Sequence, residues 1–391
     1  MSRDPFSLLI RVNAGSQIGL GHVMRCLALA QAVRDRGGDA TFVSAAGAAL
    51  PIESRLKSEG FKTTAINCAI GSEEDATHTA ALAAKLQAAW VVADGYQFDA
   101  SYQKNLKDCG CRLMVIDDFR HSSHYFADIV LDQSISHQQT DLYDSKEPHT
   151  KLLVGADYVL LRREFVKRAP LNRAHTLPAK KILVTLGGGD TAEITRKVLR
   201  ALSSVKTGQI ECKVVLGPGF PKDEMLDAIA SSSRYSVSIV RSPESMPGLM
   251  AWADLAISGA GSTVWELAFM GVPALVVILA DNQGPLARRL ENAGILSSLG
   301  WHTELTEDRI ASAINALIAS PERRMSMSRA GRELIDGNGA DRVVDCLHSP
   351  SVRLRRATTN DSLVVWKWAN DPGVRLVSFS PDPIPLESHL E

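Results

Sequence analysis

His22 and Arg25 stand one helical turn apart in "GSQIGLGHVMRCLALA" (15–30), directly after two glycines, Gly19 and Gly21. Histidine is the natural side chain for taking a proton near neutral pH. Glycines let backbone and ligand approach closely, and the free amides of a first helical turn face an anion. A helix N-terminus disfavours a cation, so the position suits a neutral imidazole that accepts a proton. Arg25, on the same face, either meets a phosphate or holds a carboxylate. The blander alternative is a core histidine bonded to a carbonyl, beside a paired arginine.

Two more glycine loops carry ligand-binding residue types. "GGGDT" (187–191), with Gly187 and Gly188, suits an anion-binding turn, although a strand-to-helix turn capped by Asp190 would read the same way. In "SGAGSTVWELAFMGVPALVV" (258–277), Gly261 brings the backbone close, Ser262 and Thr263 open a helix, and Glu266 lies one turn on. Amides and hydroxyls at 261–263 suit a diphosphate, and a carboxylate one turn further suits the two hydroxyls of a ribose. Glu266 lies among Trp265, Leu267, Ala268 and Phe269, where an unpaired charge would be costly. "LADNQ" (279–283) adds the amides of Asn282 and Gln283, which suit a sugar.

Parallel α/β units would position these residues. Short apolar runs at 7–12, 40–44, 90–94 and 112–117 alternate with helix-period stretches, and a helix begins at about Gly21. Their carboxyl ends carry Asn13, Asp94, Asp117 and Asp118, on the edge where open α/β sheets bind ligands. The helix from Gly21 is apolar nearly all round, so it is expected to be buried. A charged, proline-bearing stretch at 167–181 reads as a linker. The rhythm restarts with strands at 181–186, 212–217, 235–240, 253–258 and 273–279. Two doubly wound domains, 1–168 and 180–348, with a ligand held in the cleft between them, are therefore expected. The segment 351–391 begins like a strand and a helix and is too short to bury a core of its own.

Composition narrows the function classes. Of the 391 residues, 45% are hydrophobic and 22% charged, with a formal net charge of -1, so no charge excess favours nucleic acid or a membrane surface. The start resembles no signal peptide and no segment reaches bilayer length, so a cytoplasmic protein is expected. The six cysteines are scattered, and Cys109-x-Cys111 lacks common zinc or redox spacing. His121 and His124, near Asp117 and Asp118, lack the helical spacing of a metal pair. No metal is expected.

"RVNAGSQIGLGHVMRCLALAQAV", "VVADGYQFD", "VIDDFR", "DIVLDQ", "GADYVLLRREF", "ILVTLGGGD" and "ADLAISGAGSTVWELAFMGVPALVVILADNQ" resemble, in order, the motifs of the UDP-2,4-diacetamido-2,4,6-trideoxy-β-L-altropyranose hydrolases of pseudaminic acid biosynthesis. The resemblance spans about residues 7–346. It implies two Rossmann-like domains in a glycosyltransferase-B-like arrangement, similar to the transferases that add N-acetylglucosamine to lipid-linked muramyl-peptide. It also implies hydrolysis of a UDP-sugar with inversion, without a cofactor. His22 then corresponds to the base, and Ser262, Glu266, Asn282 and Gln283 to the nucleotide-sugar contacts. Asp94 and Tyr96, in "VVADGYQFD", join the expected substrate contacts with Gly19, Gly21, Arg25, Gly187, Gly188, Gly261 and Thr263. Gly95 stands where members often carry histidine, and Ser134 where asparagine is usual. The end, "VRLRRATTNDSLVVWKWANDPGVR", resembles the opening of GNAT-type N-acetyltransferases, which points to a fused or partner acetyltransferase; the glycine-rich acetyl-CoA loop is absent by Glu391, so this chain itself is not expected to acetylate.

Overall fold

The computed structural model describes residues 6–13, 21–45, 50–134, 143–168, 178–187, 191–206, 208–217, 220, 222–241, 243, 245–348 and 358–390. They fall into two compact units, Met1–Leu347 and His348–Glu391.

The first unit holds two all-parallel sheets. Strands β1 (Ser7–Val12), β2 (Asp39–Ala45), β3 (Lys62–Ile66), β4 (Trp90–Asp94), β5 (Leu113–Ile116), β6 (Ile129–Asp132) and β7 (Lys151–Val154) lie in the order β3-β2-β1-β4-β5-β6-β7. Strands β8 (Lys181–Thr185), β9 (Glu211–Leu216), β10 (Ser236–Arg241), β11 (Leu255–Gly259), β12 (Ala274–Ile278) and β13 (Leu296–Trp301) follow as β10-β9-β8-β11-β12-β13. Each order reverses beside its first strand, between β1 and β4 and between β8 and β11. A crevice opens at that point, at the carboxyl ends of the strands.

Sequence periodicity anticipates nine of the thirteen described strands, the edge strand β10 among them, and misses four. The missed β3, β7 and β13 are edge strands. β3 is largely exposed along "KTTAI", β7 has four residues, and β13 is interrupted by a register shift opposite Val276/Val277, so none shows a clean apolar run. β6 is central, but its four buried residues end in Asp132, too short a run to stand out.

Helix α1 (Gly21–Asp35) buries ten of its fifteen residues, as its apolar composition requires. Cys26, Leu27, Leu29 and Val33 pack against β1 and β2 through Leu8, Ile10 and Phe42. The two halves also exchange elements. Ala156, Val159, Leu161 and Phe165, which follow β7, pack into the core of the second sheet with Leu183, Met250 and Trp265. In the other direction the helix Gly339–His348 buries Ala340, Val343, Val344 and Leu347 in the core of β1 and α1. Trp90 Nε1 donates to Leu347 O at 3.0 Å at that junction. Each such buried valine or leucine contributes about 1.5–3 kcal/mol, so this crossing ties the halves together.

The second unit is helical where it is described, with helices Ser362–Ala369, Pro372–Leu376 and Leu386–Leu390. Trp366 Nε1 and Asn370 Nδ2 donate to Ile384 O at 2.7 and 3.0 Å. No residue of its first two helices is buried. The expected strand at its start lies outside the described residues. Among the described residues, no helix is long and apolar enough to cross a membrane.

Candidate active site

β1 and β4 end side by side, with Val12 paired to Asp94. α1 starts above that pair and turns His22 and Arg25 down onto the Asp94 carboxylate. His22 Nδ1 lies 2.5 Å from Asp94 Oδ1. Arg25 donates to the same carboxylate through Nε to Oδ2 at 2.7 Å and Nη2 to Oδ1 at 2.6 Å, and its Nη1 reaches Asp118. Asp94 is fully buried. Burial alone would raise its carboxyl, but Arg25 and then His22 outweigh burial and hold it well below the usual carboxylate range. An ionised Asp94 accepts only, so Nδ1 of a neutral His22 carries the proton and Nε2 keeps the lone pair. Arg25 Nη2 also lies 3.2 Å from Nδ1, but that nitrogen cannot donate to Asp94 and accept from Arg25 at once; the shorter contact decides the tautomer.

Of the two roles open to Arg25, the structure has it holding carboxylates. Asp94, expected among the substrate contacts, lies beneath the cleft surface. His22, Arg25 and the Cys26 thiol take up both of its oxygens beneath the surface.

Asp118 is placed by its neighbour Asp117, whose carboxylate accepts from the amides of Phe119, Arg120 and His121 at 2.9, 2.8 and 3.1 Å and from Tyr125 Oη at 2.6 Å. Burial, reinforced by Asp132 and Asp94 and opposed by Arg25, raises the Asp118 carboxyl. His124 turns away to Ser145 and Glu147, so the two histidines of this loop serve different partners.

The second sheet supplies the facing wall of a cleft of about 700 Å³. Its lining includes Gly21, His22, Arg25, Tyr96, Gly187, Gly261, Ser262, Thr263, Glu266, Asn282 and Gln283, so most of the expected contacts meet there. Gly19 and Gly188 lie outside the described residues. A Cβ on Gly21 would fall 2.8 Å from Ser262 Oγ, so the start of α1 abuts the loop before the helix Thr263–Phe269. Gln283 accepts from Leu279 N through Oε1 at 3.0 Å, which leaves its Nε2 facing Gly261.

Two further contacts involve cleft residues. Asn282 Nδ2 donates to Tyr96 Oη, and Arg162 Nη2 donates to Glu266 Oε1 at 2.9 Å. The Tyr96 ring stands edge-on to His22 at 5.3 Å and to His121 at 5.7 Å. Gly95, at φ +156°, turns the chain so that Tyr96 leaves the strand toward the cleft; a Cβ there would lie 3.1 Å from the Phe98 ring. Arg162 is not among the residues that sequence reasoning selects. Its signal was the charged triplet Arg162-Arg163-Glu164 directly after the apolar "YVLL".

This fold, two parallel-sheet Rossmann-like halves facing a cleft, is the glycosyltransferase-B fold. MurG of Acinetobacter baumannii superposes with a TM-score of 0.61 at 17% identity, over 88% of this chain and 99% of that one. The structure of LpCGTa in complex with UDP gives 0.63 at 14% identity, over 88% and 98%. In sequence, the Glycosyltransferase family 28 C-terminal domain matches residues 182–343. The uncharacterized protein MJ1062 of Methanocaldococcus jannaschii is 25% identical over 98% of this chain and 76% of its own length. The spore coat polysaccharide biosynthesis protein SpsG of Bacillus subtilis is 26% identical over 63% of this chain and 73% of its own. A Helicobacter pylori protein named pseudaminic acid cytidylyltransferase and UDP-2,4-diacetamido-2,4,6-trideoxy-beta-L-altropyranose hydrolase is 22% identical over 55% of this chain and 38% of its own.

Proposed function

We propose that the protein is an enzyme acting on nucleotide sugars, specifically a UDP-sugar hydrolase. It would cleave the anomeric C–O bond of a UDP-linked 2,4-diacetamido-2,4,6-trideoxy sugar with inversion and release UDP and the free sugar. The observation that carries this reading is the His22–Asp94 pair at 2.5 Å, opening onto a cleft also lined by Gly261, Ser262, Glu266 and Gln283. The name of the Helicobacter pylori relative supports the substrate class.

In this mechanism the diphosphate lies between the start of α1 and the Gly261–Thr263 loop, and Glu266 accepts from the ribose hydroxyls. His22 Nε2 takes a proton from water as the water oxygen bonds to the anomeric carbon. The C–O bond to UDP breaks on the opposite face, its electron pair leaving with the diphosphate. UDP needs charge stabilisation rather than a proton, and loop amides supply it. Solvent then takes the proton from His22. No cofactor enters, and UDP-sugar is the partner.

The family 28 match favours a second reading, a transferase that uses the same base on an acceptor hydroxyl. The Tyr96–Asn282 contact beside His22 supports water as the nucleophile on this reading, since it crosses the cleft where a larger acceptor would approach. Incubation with candidate UDP-diacetamido sugars and no acceptor separates the two: the hydrolase releases UDP and an inverted free sugar, and the transferase does not. The same proposal keeps the domain limits 1–168 and 180–348 and a cytoplasmic location. It also keeps 351–391 as the opening of a GNAT-type segment that links the reaction to a fused or partner N-acetyltransferase.

A further inference from the structure

Arg162 ends the first half of the chain just before the helix Arg163–Val166. Its side chain is only 10% exposed, and two of its nitrogens hold carboxylates: Nη1 meets Glu164 Oε1 at 2.5 Å and Nη2 meets Glu266 Oε1 at 2.9 Å. The Phe165 ring lies 4.9 Å from the guanidinium carbon. Arg163, the next residue, is fastened to α1: its amide donates to Gln31 Oε1 at 2.9 Å, and its Nη2 bonds Gln31 O at 3.0 Å and Asp35 at 2.6 Å. Two consecutive residues thus join the helix that presents His22 to the helix that presents Glu266.

Glu266 is an acid whose helix neighbours Val264, Trp265, Leu267, Ala268 and Phe269 are apolar and buried. Burial pushes its carboxyl up, Arg162 pulls it back and Glu164 adds to the rise. A protonated Glu266 would lose acceptor capacity toward a pair of vicinal hydroxyls. Its Oε1 is taken by Arg162, Oε2 has no hydrogen bond to a described residue, and Glu266 is among the residues that line the cleft.

We propose that Arg162 is a positioning residue for nucleotide capture: from the segment that follows β7 and packs into the second sheet's core, it holds Glu266 toward the cleft, so that Oε2 receives the ribose hydroxyls in register with His22, to whose helix Arg163 is fastened. This rests on the nucleotide reading of the cleft given above. It assigns to Arg162 a selectivity for ribose over sugars lacking those hydroxyls, without contact between Arg162 and the ligand. Lysine keeps the charge but not the fork that serves Glu164 and Glu266 together, so it restores the function only in part.

The test is titration of the full chain with UDP and with 2′,3′-dideoxy-UDP, for the wild type and for Arg162→Met, Arg162→Lys and Glu266→Gln. Wild type should favour UDP. Arg162→Met should lose about tenfold in UDP affinity and none toward dideoxy-UDP, the size expected for one hydrogen bond to a charged group. Arg162→Lys should recover part of the preference, and Arg162→Met/Glu266→Gln should be no weaker than Glu266→Gln alone. Equal losses toward both nucleotides in Arg162→Met, or an unchanged preference for UDP, would overturn the assignment. Wild-type protein that binds neither nucleotide would instead overturn the nucleotide reading beneath it.

Discussion

His22 Nδ1 and Asp94 Oδ1 lie 2.5 Å apart, with Asp94 fully buried and gripped from its other side by Arg25. The pair fixes which ring nitrogen bears the proton and aims the other at the cleft. Arg25 keeps the acid ionised, so that it continues to accept.

Asp94→Asn removes the acceptor that selects this tautomer while nearly preserving shape. UDP release per enzyme is expected to fall by roughly 10² to 10⁴ with little change in UDP affinity. Steady-state turnover alongside nucleotide titration measures both; equal turnover would show that the tautomer does not matter.

Glu266 gives a pH signature. Burial raises its carboxyl, Arg162 opposes and Glu164 adds to the rise, so it becomes an ionised acceptor only above a pH higher than is usual for glutamate. UDP affinity should therefore weaken as pH falls through that raised value. Glu266→Gln should bind weakly and show a flatter profile over the same range. A wild-type profile identical in shape to that of Glu266→Gln would remove Glu266 from the ribose site.

Tyr96→Ala tests whether the bridge to Asn282 selects the nucleophile. Tyr96→Ala removes both the edge-on contact with His22 and the bond from Asn282. Small alcohols added to the assay should then compete with water and yield alkyl glycosides, which mass spectrometry of the products detects. Product that remains entirely free sugar would argue that the bridge has no part in selecting water.

Stability rests partly on an ion pair outside the cleft. Arg11 and Asp75 have fully buried side chains joined at 2.8 and 2.9 Å, with Asn13 and Thr79 completing the network. Asp75→Ala leaves the guanidinium buried and unpaired and should cost about 3–5 kcal/mol. Denaturant unfolding monitors the loss; a change below 1 kcal/mol would mean that water or a neighbour compensates.

Much of this was legible locally. Glycines before a polar residue pair on an apolar helix point to the start of α1, and the apolar runs mark most of the central strands, though not β6. The partners were not legible, because they are brought together by topology. Arg162 and Glu266 are 104 residues apart, Tyr96 and Asn282 are 186, and Trp90 and Leu347 are 257. Asp94 was visible as a strand-end acid, yet its role as support for His22 follows only from β1 and β4 being neighbours. Edge strands such as β3 escaped because a half-solvated strand needs no apolar run.

The most direct test of the account is turnover of a UDP-diacetamido sugar by His22→Ala and His22→Asn, measured with UDP affinity on the same preparations. The account predicts UDP binding close to wild type and turnover reduced by roughly 10² or more, the share typical of a lost general base. Near-full turnover with UDP still bound would contradict it, and the base would have to be sought elsewhere in the cleft.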